Sequence, residues 1–184
     1  MSPSSVFPFL RKSDLPDELH SLWDQSVARR GEARFVSGAA HSPGTLKWYI
    51  ESFYGQLFYG GEVPARYKQL GRLRLSTVHG CASCNRGNRI DAADNGLNEA
   101  QIHNIHDAAH ACFDDADRAV LALADLVSMD GNGRRLDAAT YDALKEHFSN
   151  GQIIELAMTL AFLSGMARFL FAFDLVEKED YCAF

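Results

Sequence analysis

The run from Leu156 to Phe173 constrains this chain more than any other stretch. It is strongly apolar, contains Arg168 and two small residues, Ser164 and Gly165, and follows directly on Glu155. Its length suits a membrane span, but the internal arginine and the lack of flanking basic anchors point away from a membrane. A helix apolar nearly all round must be covered by a core or a subunit interface. The expectation is a helix buried on most sides, within a homo-oligomer.

The rest of the chain reads as helix too. Ser13-Asp14-Leu15-Pro16 opens a segment with Leu15, Leu19, Leu22, Trp23 and Val27 on one stripe, stopped by Gly31. Phe35 to Ala40 suits a short helical turn. Ser42-Pro43 starts a helix that Gly60-Gly61 stops, with Leu46, Tyr49, Ile50, Phe53, Leu57 and Phe58 inward. Pro64 starts another, with Leu70, Leu73, Leu75 and Val78 on its apolar side, and Gly80 breaks it. A further helix runs to Asn95-Gly96, and Asn98 with Gln101 forms a capping-box pattern. Asp114 to Met129 is amphipathic, Asp130-Gly131-Asn132-Gly133 is a turn, and two helices follow over Asp137 to His147 and Ser149 to Asp174. No segment sustains period-two alternation, so no strand is expected. The prediction is an all-α protein of about seven or eight helices, with an irregular arm over residues 1–12 and one domain over 13–184.

The chain has 184 residues and a net charge of −6, which argues against nucleic acid as the main partner. Its four cysteines are Cys81, Cys84, Cys112 and Cys182; Met1 to Leu10 holds several apolar residues, but Pro3 and Pro8 break it and no charged leader precedes it, so no signal peptide is expected. A cytoplasmic location is expected, where a C-x-x-C is catalytic or metal-binding rather than a structural disulfide.

Cys81 and Cys84 carry most of the chemistry. They follow Gly80 at the expected start of a helix, where unpaired backbone N–H groups and the positive dipole end favour a thiolate. A thiol with pKa lowered to roughly 6.5 is about three quarters ionised at pH 7, against about 3% for a free cysteine. The second cysteine, one turn away, can resolve a sulfenic acid or mixed disulfide. Zinc is the competing reading, with His79 as a third ligand, but no second ligand pair lies nearby. His103, His106 and His110 share one helical face at i, i+3 and i+7, more in keeping with a solvated face than a metal site. Cys112 and Cys182 read as structural or incidental. Asp114-Asp115-Ala116-Asp117 reads as a first helical turn, and Gly131-Asn132-Gly133 is weak as a phosphate loop. No cofactor or metal is called for.

The stretch Gln69-Leu70-Gly71-Arg72-Leu73-Arg74-Leu75-Ser76-Thr77-Val78-His79-Gly80-Cys81-Ala82-Ser83-Cys84 resembles the core of the carboxymuconolactone decarboxylase superfamily, on its alkylhydroperoxidase-D-like branch. Leu15-Pro16-Asp17-Glu18-Leu19, Ala40-His41-Ser42-Pro43, Gly96-Leu97-Asn98-Glu99-Ala100-Gln101-Ile102 and Phe148-Ser149-Asn150-Gly151-Gln152-Ile153-Ile154-Glu155-Leu156-Ala157 resemble family landmarks in the same order, over roughly residues 13 to 175. The resemblance implies an all-helical fold assembled as dimers, trimers or hexamers. It also implies a thiol peroxidase that takes hydroperoxides, with Cys84 attacking, Cys81 resolving, and an external dithiol or thiol protein as reductant. The family's proton relay places a glutamate and a histidine where this chain has Gln69 and Asn88, which keep hydrogen bonding and lose the titrating group. General acid–base assistance is typically worth about 10² to 10⁴ in rate, so a slow peroxidase is implied unless His79 serves as a substitute base. Arg86 and Arg89 can favour a thiolate by charge alone.

Two other functions compete. One is a decarboxylase-type enzyme on a small acidic lactone, its carboxylate held by Arg72, Arg74, Arg86 and Arg89. The other is a non-enzymatic redox-sensing oligomer with a decayed relay.

Overall fold

A computed structural model describes residues 6–130 and 134–184. The Gly131-Asn132-Gly133 turn and the first five residues of the arm lie outside the described residues. The helices are α1 (His20–Arg30), α2 (Arg34–Ala39), α3 (Pro43–Trp48), α4 (Ala65–His79), α5 (Ala82–Asp94), α6 (Glu99–His103), α7 (Asp115–Val127), α8 (Ala138–Lys145) and α9 (Asn150–Ala172). α3 continues without a break into a π-helical stretch, Tyr49–Tyr59, that the sequence pattern did not reveal. The all-α expectation holds, with nine α-helices among the described residues rather than seven or eight. Extended pairing among the described residues is limited to one isolated bridge, Cys81 with Lys178.

The first helix starts later than the stripe suggested. Leu15 is extended, with φ −84° and ψ 151°, because the ring of Pro16 disfavours helical geometry in the residue before it. Two 3-10 turns, Lys12–Asp14 and Asp17–Leu19, precede α1 instead, and Val27 points outward.

α4 is the central element and packs against α5, α7 and α9. Leu70 and Leu73 join Val120, Leu121, Leu156 and Leu160 in the main core. α9 carries a capping box at Ser149 and Gln152. Only one side of it enters the core, through Ile153, Leu156, Leu160 and Leu163. Ile154, Met158 and Phe169 are exposed on the other side, so within the protomer the core covers one face of the helix. By length and hydropathy α9 could cross a membrane; its inner face is part of the core.

Candidate functional site

The turn between α4 and α5 fixes the cysteine pair. Gly80 ends α4 in the left-handed region, with φ 70°, where a side chain is strained. The Cys81 N–H donates to Ser76 O at 3.0 Å. Cys81 then caps α5, and its Sγ accepts the Cys84 N–H at 3.3 Å. Cys81 and Cys84 are joined as a disulfide, with Cα atoms 5.2 Å apart. Cys81 is buried, whereas Cys84 is partly accessible.

The C-terminal segment closes the back of this turn. Glu177 O accepts the N–H groups of Ala82 at 2.9 Å and Ser83 at 3.4 Å, and the Glu179 N–H donates to Gly80 O at 2.8 Å. Asn85 Nδ2 donates to Glu179 Oε1 at 3.0 Å. The sequence reading expected unpaired N–H groups at this helix start; the first two are capped by the tail, and the third faces the Cys81 sulfur. Cys182 is part of this closure: a Cβ at Gly80 would stand 2.8 Å from Cys182 Cβ.

A cavity of about 460 Å³ lies over the pair, and Cys81, Cys84, Asn88 and His79 all line it. Gln69 stands one step behind. It is fully buried, its Nε2 donates to Tyr59 Oη at 3.0 Å, and its Oε1 accepts from Arg72 Nη1 at 3.3 Å. Tyr59 and Arg72 both face the cavity. Asn88 is buried, and its Oδ1 has no hydrogen-bond partner among the described residues.

His79 is fully buried, and its Nε2 accepts the Met129 N–H at 3.0 Å. The ring therefore carries its proton on Nδ1 when neutral. Burial lowers its pKa to about 4, with Asp130 opposing the shift. Near pH 7 the ring is neutral and its lone pair is engaged by backbone, so it is poorly placed to take a proton from a thiol.

The histidines of the 103–110 segment do not share a helix. α6 ends at His103, and the chain runs through turns from Asn104. The capping box set by Asn98 and Gln101 starts a helix of only five residues. No group of three or more potential metal ligands occurs among the described residues.

Of the arginines considered for a carboxylate, only Arg72 faces the cavity. Arg74 binds Asp125 at 2.7 Å, Arg86 binds Glu177 at 2.6 Å, and Arg89 donates to Ile102 O at 3.2 Å. The residues missed from sequence are Arg29, Arg30 and Asp91, together with Tyr49 and Tyr54 across the cavity. A signal for part of this existed: Cys84, Gly87, Asn88 and Asp91 fall on one helical face at i, i+3, i+4 and i+7. Ser83, between the cysteines, donates to Glu32 Oε1 and accepts from the Glu177 N–H at 2.8 Å.

Residues 44–126 match the model of the carboxymuconolactone decarboxylase family. Among solved structures, the chain is similar to an alkylhydroperoxidase AhpD core protein, an uncharacterized peroxidase-related protein from Ralstonia eutropha JMP134. The TM-score is 0.74 at 17% identity, over 98% of this chain and 95% of that one. It is also similar to a cysteine-to-alanine variant of the debrominase Bmp8 in complex with 2,3,4-tribromopyrrole, with TM-score 0.75 at 20% identity, over 98% and 95% of the two chains. A protein of unknown function from Agrobacterium tumefaciens gives 0.65 at 22% identity, over 74% and 92%. At these identities the likeness is one of fold. No curated protein matches the chain.

Proposed function

We propose that this chain, whose residues 44–126 match the carboxymuconolactone decarboxylase family model and whose fold is alkylhydroperoxidase-D-like, is a thiol-dependent peroxidase that reduces hydroperoxides with Cys84 and Cys81. The observation that carries this reading is the Cys81–Cys84 disulfide on the wall of a 460 Å³ cavity.

Cys84 is the more accessible residue of the pair, and it attacks as thiolate. The peroxide O–O bond breaks, Cys84 becomes a sulfenic acid, and the alkoxide takes a proton and leaves as an alcohol. The Cys81 thiol then attacks the Cys84 sulfur, forming the S–S bond and releasing water. An external dithiol attacks the accessible Cys84 sulfur and expels Cys81 as a thiolate, which takes up a proton. The N–H that Cys84 directs at Cys81 Sγ favours that leaving group. The second thiol of the reductant breaks the mixed disulfide and frees Cys84.

Proton handling is the weak part of the device. Gln69 and Asn88 do not titrate, and the lone pair of His79 is engaged by Met129. A slow enzyme follows, short of the roughly 10² to 10⁴ that a placed acid–base contributes. The outward apolar side of α9 supports a homo-oligomer.

The test is hydroperoxide consumption with a dithiol reductant. Cys84→Ser is expected to abolish it, and turnover undiminished in that variant overturns the proposal. A second reading, in which the same pair acts on a small organic halide, is supported by Bmp8, which has a like fold and is named a debrominase.

A further inference from the structure

We propose that the cavity over the cysteine pair recognises a small organic acid through Arg30, so that the preferred substrate is a hydroperoxide bearing a carboxylate. The peroxide part of this rests on the thiol-peroxidase reading; the anion site does not.

The cavity is far larger than the reacting group needs. A water molecule takes about 30 Å³ of liquid, and a hydroperoxide group is only slightly larger. The 460 Å³ here has room for an organic body. Leu22, Ile50, Leu163 and Met166 supply apolar wall for it.

The charges on the wall do not balance. Arg29, Arg30 and Arg72 face Asp91 and Asp94. Arg29 bonds both carboxylates, at 2.7 and 3.1 Å. Arg72 bonds Asp91 Oδ2 at 3.1 Å. Arg30 reaches that same oxygen only at 3.5 Å, and its side chain donates no hydrogen bond among the described residues. A guanidinium has five donors in a planar fork suited to a carboxylate. Arg30 therefore stands in the cavity wall as a cation with one long ion pair and no side-chain hydrogen bond among the described residues.

The backbone makes room for it beside the sulfurs. A Cβ at Gly87 would lie 2.5 Å from Arg30 Nη1 and 2.7 Å from its Cζ. The guanidinium thus lies against α5 one turn beyond Cys84. On the same face, Asn88 Oδ1 is buried with no partner among the described residues. It needs a donor, and the O–H of a hydroperoxide supplies one. A substrate with its carboxylate on Arg30 and its O–H on Asn88 satisfies both groups at once.

The probes are cumene hydroperoxide, its ring-carboxylated analogue, and 4-isopropylbenzoate as an unreactive mimic of the acid. Calorimetry of the oxidised wild-type protein at pH 7 is expected to show saturable binding of 4-isopropylbenzoate, weakened at least about tenfold in Arg30→Gln. With a dithiol reductant, wild type is expected to prefer the carboxylated hydroperoxide by about tenfold in kcat/KM, and Arg30→Gln to bring that ratio close to one. Arg30→Lys keeps the charge without the fork and is expected to fall between the two. Absence of 4-isopropylbenzoate binding by wild type, or equal binding by wild type, Arg30→Gln and Arg30→Lys, overturns the proposal. If neither hydroperoxide is consumed while 4-isopropylbenzoate binding still depends on Arg30, the anion site stands and the peroxidase reading falls.

Discussion

Lys68 and Arg72 sit one turn apart on α4, both buried, and they meet their anions in different ways. Lys68 Nζ lies 2.5 Å from Glu155 Oε1 and donates to Leu57 O at 2.6 Å. The carboxylate also accepts the N–H groups of Glu62 at 2.9 Å and Val63 at 3.0 Å. Burial alone would raise the Glu155 pKa; Lys68 and the two N–H groups more than offset it and hold it below the usual value. Around Arg72, by contrast, Asp91 is shared among three guanidiniums, and the Asn88 oxygen has no partner among the described residues. The first cluster is closed and ties α4 to α9. The second is open on its cavity side, and an open polar cluster is where a ligand completes the set.

The sharpest way to break this comparison is to remove one cation from each cluster. Lys68→Met leaves Glu155 buried without its cation and is expected to cost about 4 kcal/mol in urea unfolding. Arg30→Gln leaves Asp91 with Arg29 and Arg72 and is expected to cost under about 1 kcal/mol. Similar losses in the two variants would remove the distinction between a structural and a ligand-binding cluster.

The two clusters also differ in how far the sequence disclosed them. The cysteine pair, its helix start and the family resemblance were legible because Gly80, the C-x-x-C spacing and the Asn95-Gly96 stop are local signals. Asn88 and Gln69 were singled out by the family resemblance, at the positions of its relay residues, and both stand at or directly behind the cavity. Arg30 was not legible, because it comes from α1 and meets α5 only across the fold, through a gap that Gly87 leaves. The tail that caps Ala82 and Ser83 was missed for the same reason: backbone carbonyl partners leave no side-chain pattern. The His103, His106 and His110 face failed because helical register was extended past Asn104, where α6 had already ended.

His79 marks the border between the closed and open regions, and pH tests on which side it belongs. Its folded pKa of about 4 lies below the ordinary 6.5. The unfolded chain therefore binds a proton first as pH falls, and stability drops from pH 6.5 down to about 4. Above pH 6.5 the contribution is flat. The full shift corresponds to about 3 kcal/mol. His79→Gln, whose amide oxygen can still accept from Met129, is expected to flatten the unfolding free energy across that window. A slope that persists unchanged would mean His79 is not held neutral, and would reopen its candidacy as a base beside the cysteines.

The smallest effect concerns Asn88, and its sign matters more than its size. A buried acceptor without a partner is destabilising, so replacing it with an apolar residue of like volume should not weaken the fold. Asn88→Leu is expected to be neutral or up to about 1 kcal/mol more stable in urea. The same change removes the acceptor offered to the hydroperoxide O–H, so kcat/KM is expected to fall about tenfold with the dithiol assay. Stability and activity then move in opposite directions at one residue. A closed cluster behaves otherwise: at Lys68 or Glu155, losing a partner lowers stability first. If Asn88→Leu instead unfolds more easily and leaves kcat/KM as it was, the orphan oxygen is part of the scaffold, and the open side of the cavity must be sought at Arg30 alone.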